Sequence, residues 1–211
     1  MVKTAVLVSG GGTNLQAIID AHIFGELPSC ELTAVISSNP EAYAIVRARS
    51  SGIPVYVIDV GVFPNRASFS NAVLNMLRDL DIELVVLAGF MYILDPPVFK
   101  RYRNRIINIH PSLIPSFCGE GCYGIRVHEK VLEYGVKLTG ATAHFVTEVA
   151  DEGPIIMQKA VEILEGDTPQ LLQRRVMEEA EWDILPKSVG LFCDGRLEVE
   201  GRRVRILPEK K

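Results

Sequence analysis

Long apolar runs are missing from this 211-residue chain: the longest, such as Leu84 to Ala88, fall far short of the ~20 residues a membrane helix needs. No membrane partner is expected. An excess of basic charge is missing too. Lys+Arg number 22 against 26 Asp+Glu, a net charge of −4, whereas a general nucleic-acid binder needs a basic face to neutralise phosphates. No nucleic acid is expected, although a local anion site stays open. The four cysteines, at 30, 118, 122 and 193, make neither a disulfide framework nor a paired C-x-x-C set. Cys118 and Cys122 are spaced like two zinc ligands, but no second pair is in place, so no metal is expected. Repeats, low-complexity tracts and long Pro/Gly-rich linkers are absent, and the N-terminus runs into a strand pattern without the regions of a signal peptide. The expectation is a reduced, cytoplasmic enzyme or binding protein with a single domain over 1–211.

What is present is an alternation of two periods. Ala5–Val8, Leu32–Ile36, Val55–Ile58, Leu84–Ala88 and Ile106–Ile109 are apolar runs of strand length. Between them lie helical spacings: Leu15, Ile18 and Ile19 over 14–21, a helix over Pro40–Ser51 with its Pro in the first turn, and Phe69, Val73, Met76 and Leu77 on one face. Strands that are apolar on both faces and alternate with helices predict a Rossmann-like, doubly wound, mostly parallel α/β sheet. The second half changes style. Thr139–Thr147 and Pro154–Ile163, joined by Asp151-Glu152-Gly153, predict an antiparallel pair added to the sheet. Thr168-Pro169 predicts a capped helix start, followed by one buried stripe of Leu172, Val176, Ala180 and Ile184 at i+4 spacing. Leu197–Leu207 alternates around Glu200-Gly201 as a hairpin would. The chain thus reads as an α/β half over 1–100, a second half over 101–195 and a hairpin or tail over 196–211.

Chemistry gathers in a few places. The first strand ends in Ser9-Gly10-Gly11-Gly12-Thr13-Asn14. Glycines there permit positive φ and close backbone approach, and N–H groups at a helix start attract an anion. The motif is neither G-x-G-x-x-G nor a P-loop. The competing reading is a tight turn in which Thr13 or Asn14 is only an N-cap. Asn108 and His110, two apart on one strand, point to the same side, and Pro111 keeps His110 extended. In open parallel sheets ligands bind outside the carboxyl ends of strands. The Gly-rich loop, the Gly89–Tyr92 turn and the Asn108/His110 segment are all predicted at such ends. Asp151, in a turn, reads by itself as turn chemistry.

The stretches VLVSGGGTNLQAIID (6–20), LAGFMYIL (87–94), INIHPSLIPSF (107–117) and HFVTEVADEGPII (144–156) together resemble the phosphoribosylglycinamide formyltransferase family, the folate-dependent glycinamide ribonucleotide transformylases of purine synthesis. The resemblance runs from residue 2 to about 195 and implies the formyltransferase fold, with a phosphate-binding first half and a catalytic and folate-binding second half. It implies that Gly12, Thr13 and Asn14 hold the ribose phosphate of 5-phosphoribosylglycinamide. Arg66, Met91, Tyr92, Ile93, Leu94 and Asn108 match positions that contact the co-substrate, 10-formyltetrahydrofolate. His110 matches the catalytic histidine and Asp151 its carboxylate partner, with Asn108 as the third member; Glu181 matches a contact to the glycinamide part. The family needs no metal, and the chain is expected to be a monomer or homodimer. Tyr92 stands where an Arg is familiar, Trp182 replaces a His, and the loop 117–124 is longer and richer in Gly and Cys than usual.

The implied chemistry stands on its own terms. The substrate's amine is the nucleophile, so no Ser or Cys nucleophile is required. Its attack builds an oxyanion that the Asn108 amide and a protonated His110 can stabilise, with a carboxylate favouring the charged imidazole. Related readings fit less well. Formyltransferases acting on initiator tRNA carry an extra C-terminal domain, and formyl-folate hydrolases an N-terminal regulatory one. A non-catalytic phosphosugar-binding module would leave Asn108, His110 and Asp151 without a purpose.

Overall fold

The expected strands form where the apolar runs lie. The computed structural model describes residues 1–209, and the chain divides into two compact units, Met1–Ile107 and Asn108 onward. The predicted break after residue 100 would fall inside a helix; the division instead comes within a strand.

In the first unit, β1 (Val2–Val8), β2 (Cys30–Ser37), β3 (Val55–Val57) and β4 (Leu84–Leu87) run in the order β3-β2-β1-β4. All are parallel. β1 is paired on both edges, Val6 lying opposite Val35 and Val86, and these three side chains are buried. Such a strand has no solvent face, which explains its unbroken apolar run. Each such side chain contributes roughly 1.5–3 kcal/mol on leaving water. Helix α1 (Thr13–Ile23) buries Leu15, Ile18 and Ile19, and α3 (Arg66–Asp79) buries Phe69, Val73 and Leu77. Helix α2 corrects the sequence reading. It spans only Ala44–Ser50, because Asn39 Oδ1 accepts the N–H of Glu41 at 2.9 Å. That Asx turn sets Pro40 in a turn rather than in the first turn of a helix. Helix α4 (Pro96–Arg101) has Pro in its first turn, and β5 (Ile106–His110) then carries the chain into the second unit.

The second unit has the strand order β5-β6-β7-β9-β8. β6 (Leu138–Phe145) and β7 (Ile155–Glu162) are the predicted antiparallel pair, with a bulge between Ala143 and His144. β8 (Leu197–Glu200) and β9 (Arg203–Ile206) are the predicted hairpin, and β9 lies parallel to β7 where Ile155 faces Arg203. Positions 210 and 211 of the predicted tail lie outside the described residues. After helix α5 (Ile125–Tyr134), helix α6 (Pro169–Val176) opens as expected, the Thr168 hydroxyl accepting the Leu171 N–H at 3.3 Å. Asp167 grips Arg175 through two bonds of 2.6 Å, and that guanidinium holds the Asp167 carboxyl below the usual range.

The stripe of Leu172, Val176, Ala180 and Ile184 is buried, but it does not belong to one helix. A π turn over Met177–Glu181 separates α6 from α7 (Trp182–Cys193). Pro186 inside α7 has no N–H for the carbonyl four residues back, at Trp182, so regular winding is already weakened there. Among the described residues no helix is long and apolar enough to cross a membrane. The result is an α/β fold whose mixed sheet is parallel in the first unit, with antiparallel strands added toward the C-terminus.

Candidate active site

At the end of β1 the chain turns through Gly10–Gly12 into α1. Gly12 sits at φ 72 as the N-cap, and as a glycine it has no side chain with which to cap this end. The simple capping reading of Thr13 and Asn14 is therefore wrong: both lie inside the helix. The turn after β4 reaches the same edge of the first unit, where the Met91 N–H donates to Ser9 Oγ at 3.0 Å. These are the carboxyl ends of two parallel neighbours, as the sequence suggested. Beside them lies a pocket of about 300 Å³, lined by Val60, Phe63, Arg66, Phe69, Tyr92 and Ile93. Tyr92 packs against both Phe69 and Phe90. Arg66 opens α3 and pairs with Asp95 at 2.5 Å. Met91 and Ile93 are 52% and 61% exposed, whereas Leu94 turns its side chain into the core at 3%. What Leu94 can offer a ligand is its backbone.

The second unit brings Asn108, His110 and Asp151 together and adds a residue that sequence reasoning left without a role, His144. Asn108 Nδ2 donates to His144 Nε2 at 3.2 Å, and His144 Nδ1 donates to the Phe145 carbonyl at 2.9 Å. A carbonyl only accepts, so His144 carries its proton on Nδ1 and turns a lone pair toward Asn108. Burial holds the His144 ring below the ordinary histidine range, against the pull of Asp151. It is neutral, and it fixes which end of the Asn108 amide is the nitrogen. The bulge beside it re-aims the strand at this point. Thr142 and His144, two apart on a buried strand, show the same spacing that singled out Asn108 and His110. Thr142 works structurally, donating to the Ser112 carbonyl at 2.6 Å and accepting the Ile114 N–H at 3.1 Å, so that β6 holds the loop after His110.

His110 faces an oxygen at each ring nitrogen. Its Nε2 donates to the Phe117 carbonyl at 3.0 Å, and its Nδ1 lies 3.6 Å from Asp151 Oδ2, an ion-pair distance rather than a hydrogen bond. The other Asp151 oxygen is 3.7 Å from His144 Nε2, and Oδ2 accepts the Gly119 N–H at 2.8 Å. Phe117 and Asp151 both adopt positive φ, 50° and 56°. Such backbone costs of order 1–3 kcal/mol per residue and persists where the surroundings over-determine it. The loop 117–124 thus touches both members of the pair. Within it, Lys130 Nζ donates to Cys122 Sγ at 3.1 Å, and burial pushes the Cys118 thiol up. No three His, Cys, Asp or Glu side chains are grouped to hold a metal among the described residues. Glu181 lies on the π turn and is buried.

His128 on α5 is fully buried, and neither ring nitrogen has a hydrogen-bond partner among the described residues. Burial, with a smaller push from His110, lowers its pKa from 6.5 to about 4. Unfolding lets this ring bind a proton that the folded state refuses. Its stability contribution is therefore complete above pH 6.5 and is lost as pH falls toward 4, reaching about 3 kcal/mol from the ~1.4 kcal/mol per pKa unit. Urea melts of wild type and His128→Gln at pH 7 and pH 5 check this: the wild type should lose more stability across the interval than the variant. Equal losses would show that His128 does not set the acid limb.

The formyl transferase family model matches residues 2–189. The trifunctional purine biosynthetic protein adenosine-3 of Gallus gallus is 42% identical over 200 residues, 94% of this chain and 19% of that protein. The chain spans about a fifth of the length of such multifunctional relatives. Phosphoribosylglycinamide formyltransferase of Haemophilus influenzae is 38% identical over 200 residues, 95% of this chain and 91% of that protein. Among solved structures, glycinamide ribonucleotide transformylase 1 from Symbiobacterium toebii superposes with a TM-score of 0.92 at 45% identity, covering 99% of this chain and 95% of that one.

Proposed function

The chain belongs to the formyl transferase family, in its phosphoribosylglycinamide formyltransferase branch, and from that premise we propose that it moves the formyl group of 10-formyltetrahydrofolate onto the amine of 5-phosphoribosylglycinamide, a step of de novo purine synthesis. The observation that carries this reading is the pairing of His110 with Asp151, its Nε2 already a donor to an oxygen.

The amine of the substrate attacks the formyl carbon, and the carbonyl electrons pass to its oxygen. His110 and the Asn108 amide donate to that oxyanion, His144 having fixed the orientation of the amide. Collapse restores the carbonyl and breaks the bond to folate N10, which takes a proton as the amine gives one up. His110 serves as the acid or relay, and Asp151 balances its charge. The Gly12–Asn14 turn takes the substrate phosphate, as positive-φ glycine and a helix start suit an anion. Arg66, Tyr92 and Ile93, which line the pocket of the first unit, take the folate with Met91 and the Leu94 backbone, and Glu181 takes the glycinamide part.

The test is an assay of formyl transfer between these two substrates with purified protein. Formylated product and free tetrahydrofolate should appear in equal amounts. Folded protein that binds ribose phosphate without turnover, or that releases formate instead, would overturn the reading.

A further inference from the structure

Helix α2 makes contact with three successive glycines of the turn after β1. The Ala44 N–H donates to the Gly10 carbonyl at 3.0 Å. Arg47 Nε donates to the Gly11 carbonyl at 2.9 Å, while its Nη1 reaches Gln16 Oε1 at 3.2 Å and its guanidinium lies over the Tyr43 ring. Gly12 packs so closely that an added Cβ would lie 2.6 Å from Ala44 Cβ, whereas at Gly10 and Gly11 a Cβ would meet nothing within 4 Å.

A trans peptide points its C=O and N–H in opposite directions. Drawing the Gly10 and Gly11 carbonyls toward α2 therefore turns the N–H groups of Gly11 and Gly12 away from it. Among the described residues Arg47 has no carboxylate partner, so its bond to a neutral carbonyl is not a by-product of an ion pair. A guanidinium fixed by a ring face and a side-chain amide gives that bond a set direction.

We propose that Arg47 is a positioning residue for substrate phosphate: it holds the Gly11 peptide so that the Gly12 N–H is presented to the anion. The inference rests on the phosphate reading of this turn, and it concerns a residue outside the turn itself.

The experiment measures KM for each substrate, kcat and thermal melting in Arg47→Gln, Arg47→Lys and Gly12→Ala. Arg47→Gln should raise KM for 5-phosphoribosylglycinamide about tenfold, the worth of one charge-assisted hydrogen bond. Its kcat and its KM for 10-formyltetrahydrofolate should stay within about twofold of wild type, since neither depends on a phosphate contact. Arg47→Lys should recover part of the loss, because an ammonium can reach one carbonyl but cannot also bridge to Gln16. Equal changes in both KM values, or no recovery by Lys, would make Arg47 a merely structural residue and overturn the proposal. Gly12→Ala separates the two levels. If it raises KM for 5-phosphoribosylglycinamide while Arg47→Gln does not, the turn binds phosphate without help from Arg47. If neither variant changes it, the phosphate reading itself fails.

Discussion

Asp151→Asn should lower kcat by ~10²-fold or more, the usual worth of a positioned acid–base group, while KM for 5-phosphoribosylglycinamide changes little. The substitution keeps size and one carbonyl-type oxygen. That oxygen can still accept the Gly119 N–H, now held at 2.8 Å, so the loop anchor survives. What disappears is the negative charge 3.6 Å from His110 Nδ1. The oxygen that stays on the Gly119 N–H is also the one facing His110 Nδ1, so the ring keeps an acceptor there but a neutral one. His110 then lacks the negative charge that balances a proton relayed through it to the leaving nitrogen. Turnover at saturating substrate between pH 6 and 9, with a melting curve to confirm folding, is the measurement. Near-normal kcat across that range would reduce Asp151 to a turn residue.

Gly153→Ala should damage both stability and turnover, although Gly153 carries no chemistry. Its added Cβ would sit 1.6 Å from the Phe145 carbonyl oxygen and 2.7 Å from the carbonyl carbon. Backbone, unlike the tip of a side chain, has nowhere to go. The oxygen it would strike is the one that accepts the His144 Nδ1 proton, and the Phe145 N–H is bonded to the Pro154 carbonyl at 2.9 Å. Relief must spread the turn that carries Asp151 or swing His144 off Asn108. Overpacking of this kind costs about 3 kcal/mol or more, and misplacing a reacting group by about 1 Å costs ~10² in rate. Urea denaturation and kcat of the folded fraction check it. An unchanged midpoint with full activity would mean that the turn is far more compliant than its contacts imply.

These contacts also mark how far the amino-acid order can be read. Strands such as β1 were legible because a strand paired on both edges must be apolar throughout. The Thr168 cap and the β6–β7 turn were legible because each depends on chemistry within a few residues. The start of α2 was not: Pro40 suits a helix start equally well until the Asn39 side chain takes the Glu41 N–H. The π turn was hidden because its flanking helices keep the same i+4 stripe in the core, and Pro186 alone hinted at it. At the site, Asn108 and His110 were visible from their spacing on one strand. His144 lies on β6, remote in sequence, and a histidine there looks like any buried ring until Asn108 is seen against it. The Asp151 pairing came through the family resemblance rather than from its neighbours in the chain.

In the reaction proposed above, the Phe117 carbonyl on His110 Nε2 would make that nitrogen selective between states of the same substrate. A formyl oxygen in the ground state is a neutral acceptor of the same kind as this peptide oxygen. Exchanging one for the other is close to isoenergetic, so the bound formyl group gains almost nothing from His110. Once the carbon turns tetrahedral, its oxygen is charged, and a charge-assisted bond is roughly twice as strong as a neutral one. The protein's own backbone then acts as a reference competitor that only the activated species outbids. Binding strength at this nitrogen is thereby withheld until the reaction coordinate has been climbed, which is the condition under which an interaction accelerates a reaction instead of merely retaining its substrate.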